Sequence, residues 1–264
     1  MPAIRKPVAL TIAGSDPSGG AGIQADLKTF HQFGVYGEAV ITLITVQNTR
    51  GVERVECLDP GLVADQVRAV IGDIPPTAAK TGALGNREII EAVAGLASSF
   101  SFPLVLDPVI LSKHGAALLK DDAVDSLKTR LLPFAFLLTP NLDEAALLTG
   151  AEVRNTVDMR NAAEKLAALG PRAVLVKGGH LGEGDAIDIL FYQGEFREYT
   201  SPRIATRNTH GTGCTLSAAI TASLASGHDL PEAVERAKRY VTAAIRSNPE
   251  LGGGAGPLDH HALI

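Results

Sequence analysis

The sequence predicts an α/β protein with a mainly parallel central sheet and helices on both faces. Short apolar runs, several of them rich in β-branched residues, alternate with segments of helical periodicity between residues 8 and 199 of the 264-residue chain. This alternation is typical of strands joined by crossover helices, and continuously apolar runs are expected for strands buried on both faces. A Gln-Gly turn at residues 193 and 194 separates two further strand-like runs, which predicts a small hairpin extending the sheet.

The first strand and the first helix are predicted on either side of a glycine-rich loop. Residues 8–13 form the strand-like run and residues 14–22 form the loop. The following helix carries Ile23 and Phe30 on its apolar face. Asp26 is interpreted as lying on the polar side of this helix, where an exposed surface carboxylate is the simpler alternative to a functional role.

The glycines of this loop do not predict a common nucleotide-binding motif. Residues 20–25 formally match the dinucleotide fingerprint, but they come several residues after the strand and not at its tight turn. No Lys-Ser or Lys-Thr pair follows the glycines, which argues against the phosphate loop of the common nucleotide hydrolases.

The remaining elements follow in alternating order. Caps and stops mark the helices: Asp59 before a proline, Asn86, Thr156, and Gly150 after a helix over residues 142–149. The predicted strands are residues 39–46, 52–58, 78–81, 104–106, 134–138 and 173–176, and the hairpin comprises residues 187–192 and 196–199.

The composition predicts one compact domain over residues 1–264, since no linker rich in proline or serine interrupts the chain. Hydrophobic residues make up 45% and charged residues 20%, which is ample for a large core. A net charge of −5 without a basic cluster predicts no nucleic-acid partner. Cys57 and Cys214 are the two cysteines, which fits a reducing compartment, so we expect a cytoplasmic protein. No apolar run is long enough to predict a membrane span.

The turn at residues 209–214, Thr-His-Gly-Thr-Gly-Cys, is the main candidate for the reaction site. Gly211 and Gly213 permit close approach of the backbone to a ligand, and the predicted helix that follows presents free N–H groups and its positive dipole end. The turn therefore predicts an anion site. An ordinary glycine-rich loop between a strand and a helix is the alternative.

Polar residues follow the apolar runs, and ligands bind beyond the carboxyl ends of strands in open α/β sheets. An anion turn together with Lys177, Asp107 and Glu144 indicates a phosphate-bearing substrate with a hydrated Mg²⁺ ion, and so phosphoryl transfer. Glu144 alternatively serves only the helix dipole, and Lys177 alternatively is an exposed strand end. The residues expected to converge are 14–16, 47–48, Asp107, Asn141, 177–179 and 209–214.

Six ordered segments also match the motifs of one enzyme family: residues 13–28, 46–49, 106–109, 138–145, 176–180 and 208–214. They resemble the hydroxymethylpyrimidine and phosphomethylpyrimidine kinases of thiamine biosynthesis. This resemblance implies a three-layer α/β/α ribokinase-like fold without a separate lid. It also implies ATP and Mg²⁺ as cofactors, and assembly into a homodimer or higher homo-oligomer.

The resemblance assigns an aminopyrimidine pocket to Gly14, Asp26, Gln47 and Val109. The amide of Gln47 is expected to pair with both a ring nitrogen and the exocyclic amine of the substrate, because it can donate and accept hydrogen bonds. Ala83 departs from the family pattern, since relatives often carry methionine there against the pyrimidine ring. This departure concerns the size of the pocket.

The resemblance also assigns the phosphoryl-transfer machinery. Cys214 stands where sugar kinases of the superfamily carry an aspartate base. A thiol at a helix N-terminus is expected to have a lowered pKa, so we expect Cys214 to assist deprotonation of the acceptor. The catalytic group comprises Cys214, Lys177, Gly211 and Gly213; the nucleotide is assigned to Asn141, Lys177, Thr209, Gly211, Thr212 and Gly213; and the metal is assigned to Asp107 and Glu144.

The expected function is phosphorylation of 4-amino-5-hydroxymethyl-2-methylpyrimidine and then of its monophosphate. A pyridoxine or pyridoxal kinase of the same superfamily is the alternative, and a pyrimidine-binding sensor without turnover is a further one. Intact Lys177, Glu144 and the 209–214 turn argue against the sensor.

Overall fold

The computed structural model describes residues 6–110, 119, 121–179, 181, 182 and 184–263, and a nine-stranded sheet organises this part of the chain. The sheet order is β3-β2-β1-β4-β5-β6-β7-β8-β9. Strands β1, β2 and β4 to β7 run parallel, while β3 at one edge and β8 and β9 at the other run antiparallel to their neighbours. The strands are β1 (Val8–Ser15), β2 (Tyr36–Asn48), β3 (Gly51–Cys57), β4 (Ala78–Thr81), β5 (Leu104–Leu106), β6 (Leu137–Leu138), β7 (Ala173–Lys177), β8 (Ala186–Tyr192) and β9 (Glu195–Ser201).

Helices cover both faces of the sheet, which confirms the predicted three-layer α/β/α class. Residues of α2 to α6 pack in one core with Leu10 and Ile12, whereas α7 and α8 pack on the opposite face, where α1 joins α7 over Ala9. The helices are α1 (Gly22–Gln32), α2 (Pro60–Asp73), α3 (Arg87–Ala97), α4 (Asp121–Ser126), α5 (Leu142–Thr149), α6 (Thr156–Ala167), α7 (Thr212–Ala225) and α8 (Leu230–Ser247).

The two-residue period of the strands decides which side chains meet α1 and α7. Leu10 and Ile12 of β1 point to one core, so Ala9 and Thr11 point to the other side. Thr11 pairs in register with Lys80 of β4. A lysine is therefore placed inside the layer between the sheet and α1.

Most predicted helix boundaries are confirmed by their caps. The Asp59 carboxylate accepts a hydrogen bond from the Leu62 N–H at 3.0 Å, and the Asn86 side chain accepts one from Ile89 at 2.9 Å. Helix α5 ends at Gly150, whose φ of 68° closes the helix in the left-handed conformation. The hairpin between β8 and β9 is also confirmed.

Three expectations were wrong in detail. The strand predicted over residues 134–138 is only Leu137–Leu138, because a 3-10 turn over Leu132–Phe134, with Pro133 near its start, precedes it. Helix α6 is capped by Asn155, not Thr156, since the Asn155 side chain accepts the Asp158 N–H at 2.9 Å. Strand β3 pairs antiparallel with β2, so the sheet has two antiparallel edges where one was predicted.

Helix α8 had no counterpart in the prediction, although its signals are present in the sequence. Asp229 caps the helix by accepting the Glu232 N–H at 2.9 Å, and Pro231 stands in the first turn. Within the described residues, no helix is long and apolar enough to cross a membrane. His180, the last residue of one family-like segment, lies outside the described part of the chain.

Candidate active site

A cavity of about 970 Å³ lies at the carboxyl ends of the parallel strands. The predicted convergence of loop residues at this edge is confirmed. Among the described residues, every assigned site residue except Asp26 belongs to its lining, and so do the residues expected to converge, except Asn48 and Gly178. The walls include residues 13–16, Gln47, Ala83, Asp107, Val109, Asn141, Glu144, Lys177 and the turn at 209–214.

The strand order arranges these residues along the cavity. Gln47 is the last residue but one of β2, Gly14 is the last but one of β1, and Ala83 follows β4, so these three occupy neighbouring positions in one half. Asn141 follows β6 and Lys177 ends β7, which places them in the other half. Asp107, directly after β5, therefore stands between the two halves.

The turn before α7 has the geometry expected of an anion site. Gly211 has a φ of 80°, and a Cβ there would overlap the carbonyl oxygen of Gly20, so a side chain is excluded by both strain and space. The Thr212 hydroxyl donates to the Thr209 carbonyl oxygen at 2.8 Å. The N–H groups of Gly213 and Cys214 lie in the first turn of the helix, where no carbonyl one turn earlier in the helix can accept them.

Lys177 and Asp107 form a buried ion pair beside this turn. The Lys177 ammonium donates to Asp107 Oδ1 at 2.9 Å, and a Cβ on Gly213 would lie 3.3 Å from the same Nζ. Burial alone would lower the pKa of Lys177, but the carboxylates of Asp107 and Glu144 raise it. The alternative of an exposed strand end is therefore wrong, since Lys177 is a cation held inside the site.

Asp107 is held by several donors at once. Besides the Lys177 bond, the Thr139 hydroxyl donates to Oδ1 at 3.3 Å and the Ser217 hydroxyl donates to Oδ2 at 3.2 Å. Burial by itself would raise the pKa of Asp107, but the ammonium groups of Lys177 and Lys80 hold it below its ordinary value. Asp107 is therefore an ionised carboxylate in the middle of the cavity.

Glu144 combines the two interpretations that the sequence left open. Its Oε2 accepts the Asn141 N–H at 2.8 Å while the Asn141 side chain accepts the Glu144 N–H at 2.8 Å, which is a capping box at the start of α5. The same residue lines the cavity and is buried. Burial raises its pKa to about 7, and Asp107 adds to the rise while Lys177 opposes it.

Cys214 corrects one prediction. The expected lowering of its pKa by the helix N-terminus is wrong, because burial raises the pKa of the thiol to about 11 even though the Lys80 ammonium opposes the rise. The Gly22 N–H donates a hydrogen bond to the sulfur. Near neutral pH Cys214 is thus a thiol in the cavity wall.

The interpretation that Asp26 lies on the polar side of α1 is also wrong. Asp26 is 0% exposed, because the 3.6-residue period places it on the same face of α1 as Ile23 and Phe30. Its carboxylate accepts the Lys80 ammonium at 2.8 Å and the Thr11 hydroxyl at 2.6 Å. The structure therefore places Asp26 between the sheet and α1, outside the cavity lining.

Lys80 is a functional candidate that sequence reasoning missed. It is 0% exposed, and its charge acts on both Cys214 and Asp107. Burial alone would lower the pKa of Lys80, but the adjacent Asp26 carboxylate raises it. A lysine inside the apolar run of residues 78–81 was the available signal, since an unpaired lysine is rarely fully buried.

His210 joins the two glycine-rich segments. Its Nε2 lies 2.7 Å from Asp16 Oδ2 and 3.2 Å from the terminal amide of Gln47. Asp16 belongs to the first loop and Gln47 lies near the end of β2, so one imidazole connects the anion turn with both. Residues 14–16 and the turn were predicted to lie at the site, but the sequence carries no local signal that His210 links them.

The half of the cavity that contains Asn141 and Lys177 also contains charged residues that were not predicted. Lys238 of α8 donates to Asp188 Oδ2 at 2.6 Å, and Asp188 Oδ1 accepts the Gly178 N–H at 3.0 Å. The Arg203 guanidinium donates to the carbonyl oxygens of Gly179, Leu181 and Gly184. These contacts fix the segment that follows Lys177.

Comparison with known proteins identifies the family of this chain. Residues 16–259 match the family model described as phosphomethylpyrimidine kinase. The hydroxymethylpyrimidine/phosphomethylpyrimidine kinase of Streptomyces coelicolor is 50% identical over 98% of this chain and 96% of that protein. The thiamine biosynthesis bifunctional protein of Geobacter sulfurreducens is 52% identical over 95% of this chain, which spans about half (51%) of that relative.

A solved structure shows the same fold. The Bacillus subtilis pyridoxal kinase in an ADP complex superposes with a TM-score of 0.90 at 39% identity, covering 97% of this chain and 98% of that one.

Proposed function

The chain belongs to the phosphomethylpyrimidine kinase family, and we propose that it transfers a phosphoryl group from ATP to 4-amino-5-hydroxymethyl-2-methylpyrimidine and then to the monophosphate, in thiamine biosynthesis. The observation that carries this proposal is the position of the Lys177–Asp107 ion pair. It lies where the turn at 209–214 meets the middle of the cavity, between an acceptor half and a nucleotide half.

The acceptor half suits a small heteroaromatic alcohol. Gly14, Leu43 and Ala83 form a compact apolar wall: a Cβ on Gly14 would lie 2.6 Å from a Leu43 methyl group and 3.6 Å from the Ala83 Cβ. Gln47 adds an amide that can recognise a ring nitrogen, and Val109 adds a further apolar surface. Asp26 supports this half from behind through Lys80 rather than by direct contact with the ring.

The other half suits the phosphates of ATP. Lys177 supplies a cation, and the first-turn N–H groups of Gly213 and Cys214 supply donors at the positive end of α7. Thr209, Thr212 and Asn141 line the same space. Phosphoryl transfer depends mainly on positioning and on neutralising charge, and these groups provide both.

Asp107 and Glu144 fit a hydrated Mg²⁺ ion. Both carboxylates face the Lys177 ammonium, and burial raises the pKa of Glu144 to about 7, with Asp107 adding to the rise. In the part of the chain that the structure describes, no cluster of three or more His, Cys, Asp or Glu side chains could hold a metal. The ion would therefore take its remaining ligands from water and phosphate, as Mg²⁺ commonly does, and when bound it offsets the charge of the phosphate oxygens.

Cys214 contributes by position more than by basicity. With a pKa of about 11, its thiolate is scarce at neutral pH. In a loose transition state the acceptor hydroxyl loses its proton late, so a strong base is not required for the transfer. The turn amides and Lys177 then supply the larger share of the rate.

An ATP-consumption assay tests the proposal, with the aminopyrimidine alcohol, its monophosphate and pyridoxal offered separately. We expect ADP release with both pyrimidines and products that carry one and two phosphates by mass spectrometry. Lys177→Met should lower kcat/KM about 100-fold or more, because it removes one donor to the transferring group. The control Lys165→Met changes an exposed lysine of α6 and should leave the rate unchanged. No ADP release above background with either pyrimidine would overturn the proposal.

Pyridoxal is proposed as a slow second acceptor. Two observations favour it. This chain matches a pyridoxal kinase structure, and the small side chain of Ala83 leaves more space for the acceptor ring beside the apolar wall. Ala83→Met should raise the preference for the aminopyrimidine over pyridoxal. Equal kcat/KM for the two acceptors in the parent protein would make pyridoxal kinase the better assignment.

The assembly and location of the enzyme are part of the same proposal. Residues 1–264 act as one kinase domain, supported by the continuous sheet and by the family match over residues 16–259. The protein works in the cytoplasm as a homodimer or higher homo-oligomer. Ile44 and Val46, exposed on β2 beside the antiparallel edge strand, supply an apolar surface for self-association. Sedimentation equilibrium showing only monomers at micromolar concentration would contradict this assembly.

A further inference from the structure

Asp16 is ionised in this structure, because backbone N–H groups and a hydroxyl donate hydrogen bonds to both of its carboxyl oxygens. Its Oδ1 accepts the Ser18 N–H at 2.9 Å and the Ser18 hydroxyl at 2.7 Å, and its Oδ2 accepts the Ala21 N–H at 2.9 Å. The fourth contact, at 2.7 Å from Oδ2, is Nε2 of His210. A carboxylate oxygen at that distance requires hydrogen on the nitrogen, so Nε2 of His210 is a donor whichever charge the ring carries.

This assignment determines the orientation of the Gln47 amide. A ring nitrogen that carries hydrogen has no lone pair for an amide N–H, yet the Gln47 terminal amide lies 3.2 Å from it. The oxygen and nitrogen of an amide exchange places by a half turn of the terminal group, and the hydrogen-bond network decides between the two. The single hydrogen on Nε2 is directed at Asp16 at 2.7 Å and reaches Gln47 only as the longer branch of a shared hydrogen bond at 3.2 Å. Of the two amide atoms only the oxygen can accept that branch, so the network turns the Gln47 oxygen toward His210 and its NH₂ toward the cavity.

The other ring nitrogen adds no competing restraint. Nδ1 of His210 is buried and has no hydrogen-bond partner among the residues that the structure describes. The side chain of His210 is only 5% exposed and belongs to the cavity lining. Among the described residues, its polar contacts are thus the two at Nε2, with Asp16 on one side and Gln47 on the other.

We propose that His210, held by Asp16, is a specificity-determining positioning residue that fixes Gln47 as a hydrogen-bond donor toward the acceptor. The inference rests on the proposed function and adds to it the chemical feature that the site requires of its substrate. The acceptor ring must present a nitrogen lone pair to Gln47. The Gln47 oxygen has a second lone pair besides the one that faces His210, so the expectation that the amide also accepts from an exocyclic amine stays a prediction.

A double-mutant cycle tests the coupling between His210 and Gln47. The measured quantity is the Kd of the aminopyrimidine alcohol by titration calorimetry without nucleotide. His210→Phe keeps a flat ring but removes the donor at Nε2, and should weaken binding about tenfold, the value of one neutral hydrogen bond. Gln47→Leu should weaken binding by a similar factor. The His210→Phe change made in the Gln47→Leu protein should then cost less than twofold.

Conservative variants separate positioning from a purely structural role. His210→Gln places an amide donor near the position of Nε2 and should restore Kd to within about threefold of the parent. His210→Asn is too short to reach that position and should repeat the tenfold loss. If His210→Phe does not fold, the Gln and Asn variants, each with and without Gln47→Leu, give the same comparison. His228→Phe, a matched change at a half-buried histidine that pairs with Glu232 on α8, should leave Kd unchanged.

A substrate analogue tests the demand for a lone pair. Two pyridine analogues, each with one ring nitrogen of the aminopyrimidine replaced by C–H, should differ in the parent protein. One should lose about tenfold in affinity and the other little. The analogue that has lost the recognised nitrogen should lose no further affinity in the Gln47→Leu protein, whereas the analogue that keeps it should lose about tenfold, like the aminopyrimidine itself.

Additive losses from His210→Phe and Gln47→Leu would overturn the inference, as would analogues that bind the parent equally. A parent that binds the aminopyrimidine alcohol but never phosphorylates it would overturn the proposed function and leave the cycle able to judge His210. A parent that does not bind this alcohol would overturn the inference itself, because Gln47 would have no such ring to recognise.

Discussion

Glu144→Gln should make the ligand-free protein more stable at alkaline pH while impairing catalysis. Glu144 is 7% exposed, and burial raises its pKa to about 7 from an ordinary value of 4.5. Gln has no charge to bury, and it can occupy the same third position of the capping box at the start of α5. The substitution therefore removes the burial penalty and keeps the local hydrogen-bond pattern.

The size of the effect follows from linkage. Below pH 4.5 the carboxyl is protonated in both the folded and the unfolded chain, so it costs nothing. As pH rises from 4.5 to about 7 the unfolded chain ionises first, and the folded state loses stability. At about 1.4 kcal/mol per pH unit, this interval corresponds to a penalty of about 3 kcal/mol above pH 8. For a chain of this size that is a Tm difference of about 6–12 °C.

The assay is thermal unfolding of parent and variant from pH 5 to pH 9 without nucleotide. The stability gain of the variant over the parent should grow from pH 5 to about pH 7 and level off by about pH 8. Glu38→Gln is the matched control, because burial also raises the pKa of Glu38 to about 7, yet it stands on β2 away from the cavity lining. Both variants should show the pH-dependent gain, but only Glu144→Gln should lower kcat and shift the Mg²⁺ activation midpoint upward.

Two results would refute the reasoning about Glu144. A Tm difference between parent and Glu144→Gln that stays constant from pH 5 to pH 9 would show that the folded protein does not penalise the ionised carboxyl. Superimposable Mg²⁺ titrations of parent and variant would assign the metal to other residues. In the parent, Mg²⁺ should also activate less effectively below pH 7, where protons compete with the ion for Glu144.

Three further predictions concern the charges and the turn around the cavity. Cys214→Ala should lower kcat less than 100-fold, which is below the upper range of general-base contributions. The kcat of the parent should stay constant from pH 7.5 to 9.5, because the thiol has a pKa of about 11. A tenfold rise in kcat per pH unit would instead identify the thiolate as the base. Gly213→Ala should lower kcat at least tenfold, because the new Cβ would lie 3.3 Å from Lys177 Nζ. The control Gly95→Ala places a Cβ in open space on α3 and should leave kcat unchanged. Equal effects of the two substitutions would show that the turn takes no part in catalysis. Lys80→Met should lower the free energy of unfolding by about 3–5 kcal/mol in denaturant titrations, because it leaves the Asp26 carboxylate buried without its cation. Adding Asp26→Asn should recover much of this loss. A Lys80→Met protein as stable as the parent would show that the two residues are not coupled.

Local signals in the sequence were sufficient for most of the architecture. The caps at Asp59 and Asn86 and the stop at Gly150 act within one helical turn, so a reader of the sequence has all the residues involved. Helix α8 could have been predicted from Asp229 and Pro231 by the same rules. The antiparallel pairing of β3 was not available in this way, because strand direction depends on contacts between segments and not on the residues of one segment.

The sequence by itself also determined where the site lies, because the polar ends of parallel strands meet at one edge of a sheet whatever the details of packing. Only the tertiary structure decided the charge state and the partner of each residue there. Asp26 was expected in the pyrimidine pocket, with a surface position as the alternative, and it is buried against Lys80 outside the cavity lining. Cys214 was expected to have a lowered pKa and has one of about 11. The physical reason is that a pKa depends on burial and on charges from other strands. Lys80 and Asp107 lie far from residue 214 in the chain, and only the closed layers of the fold bring them together.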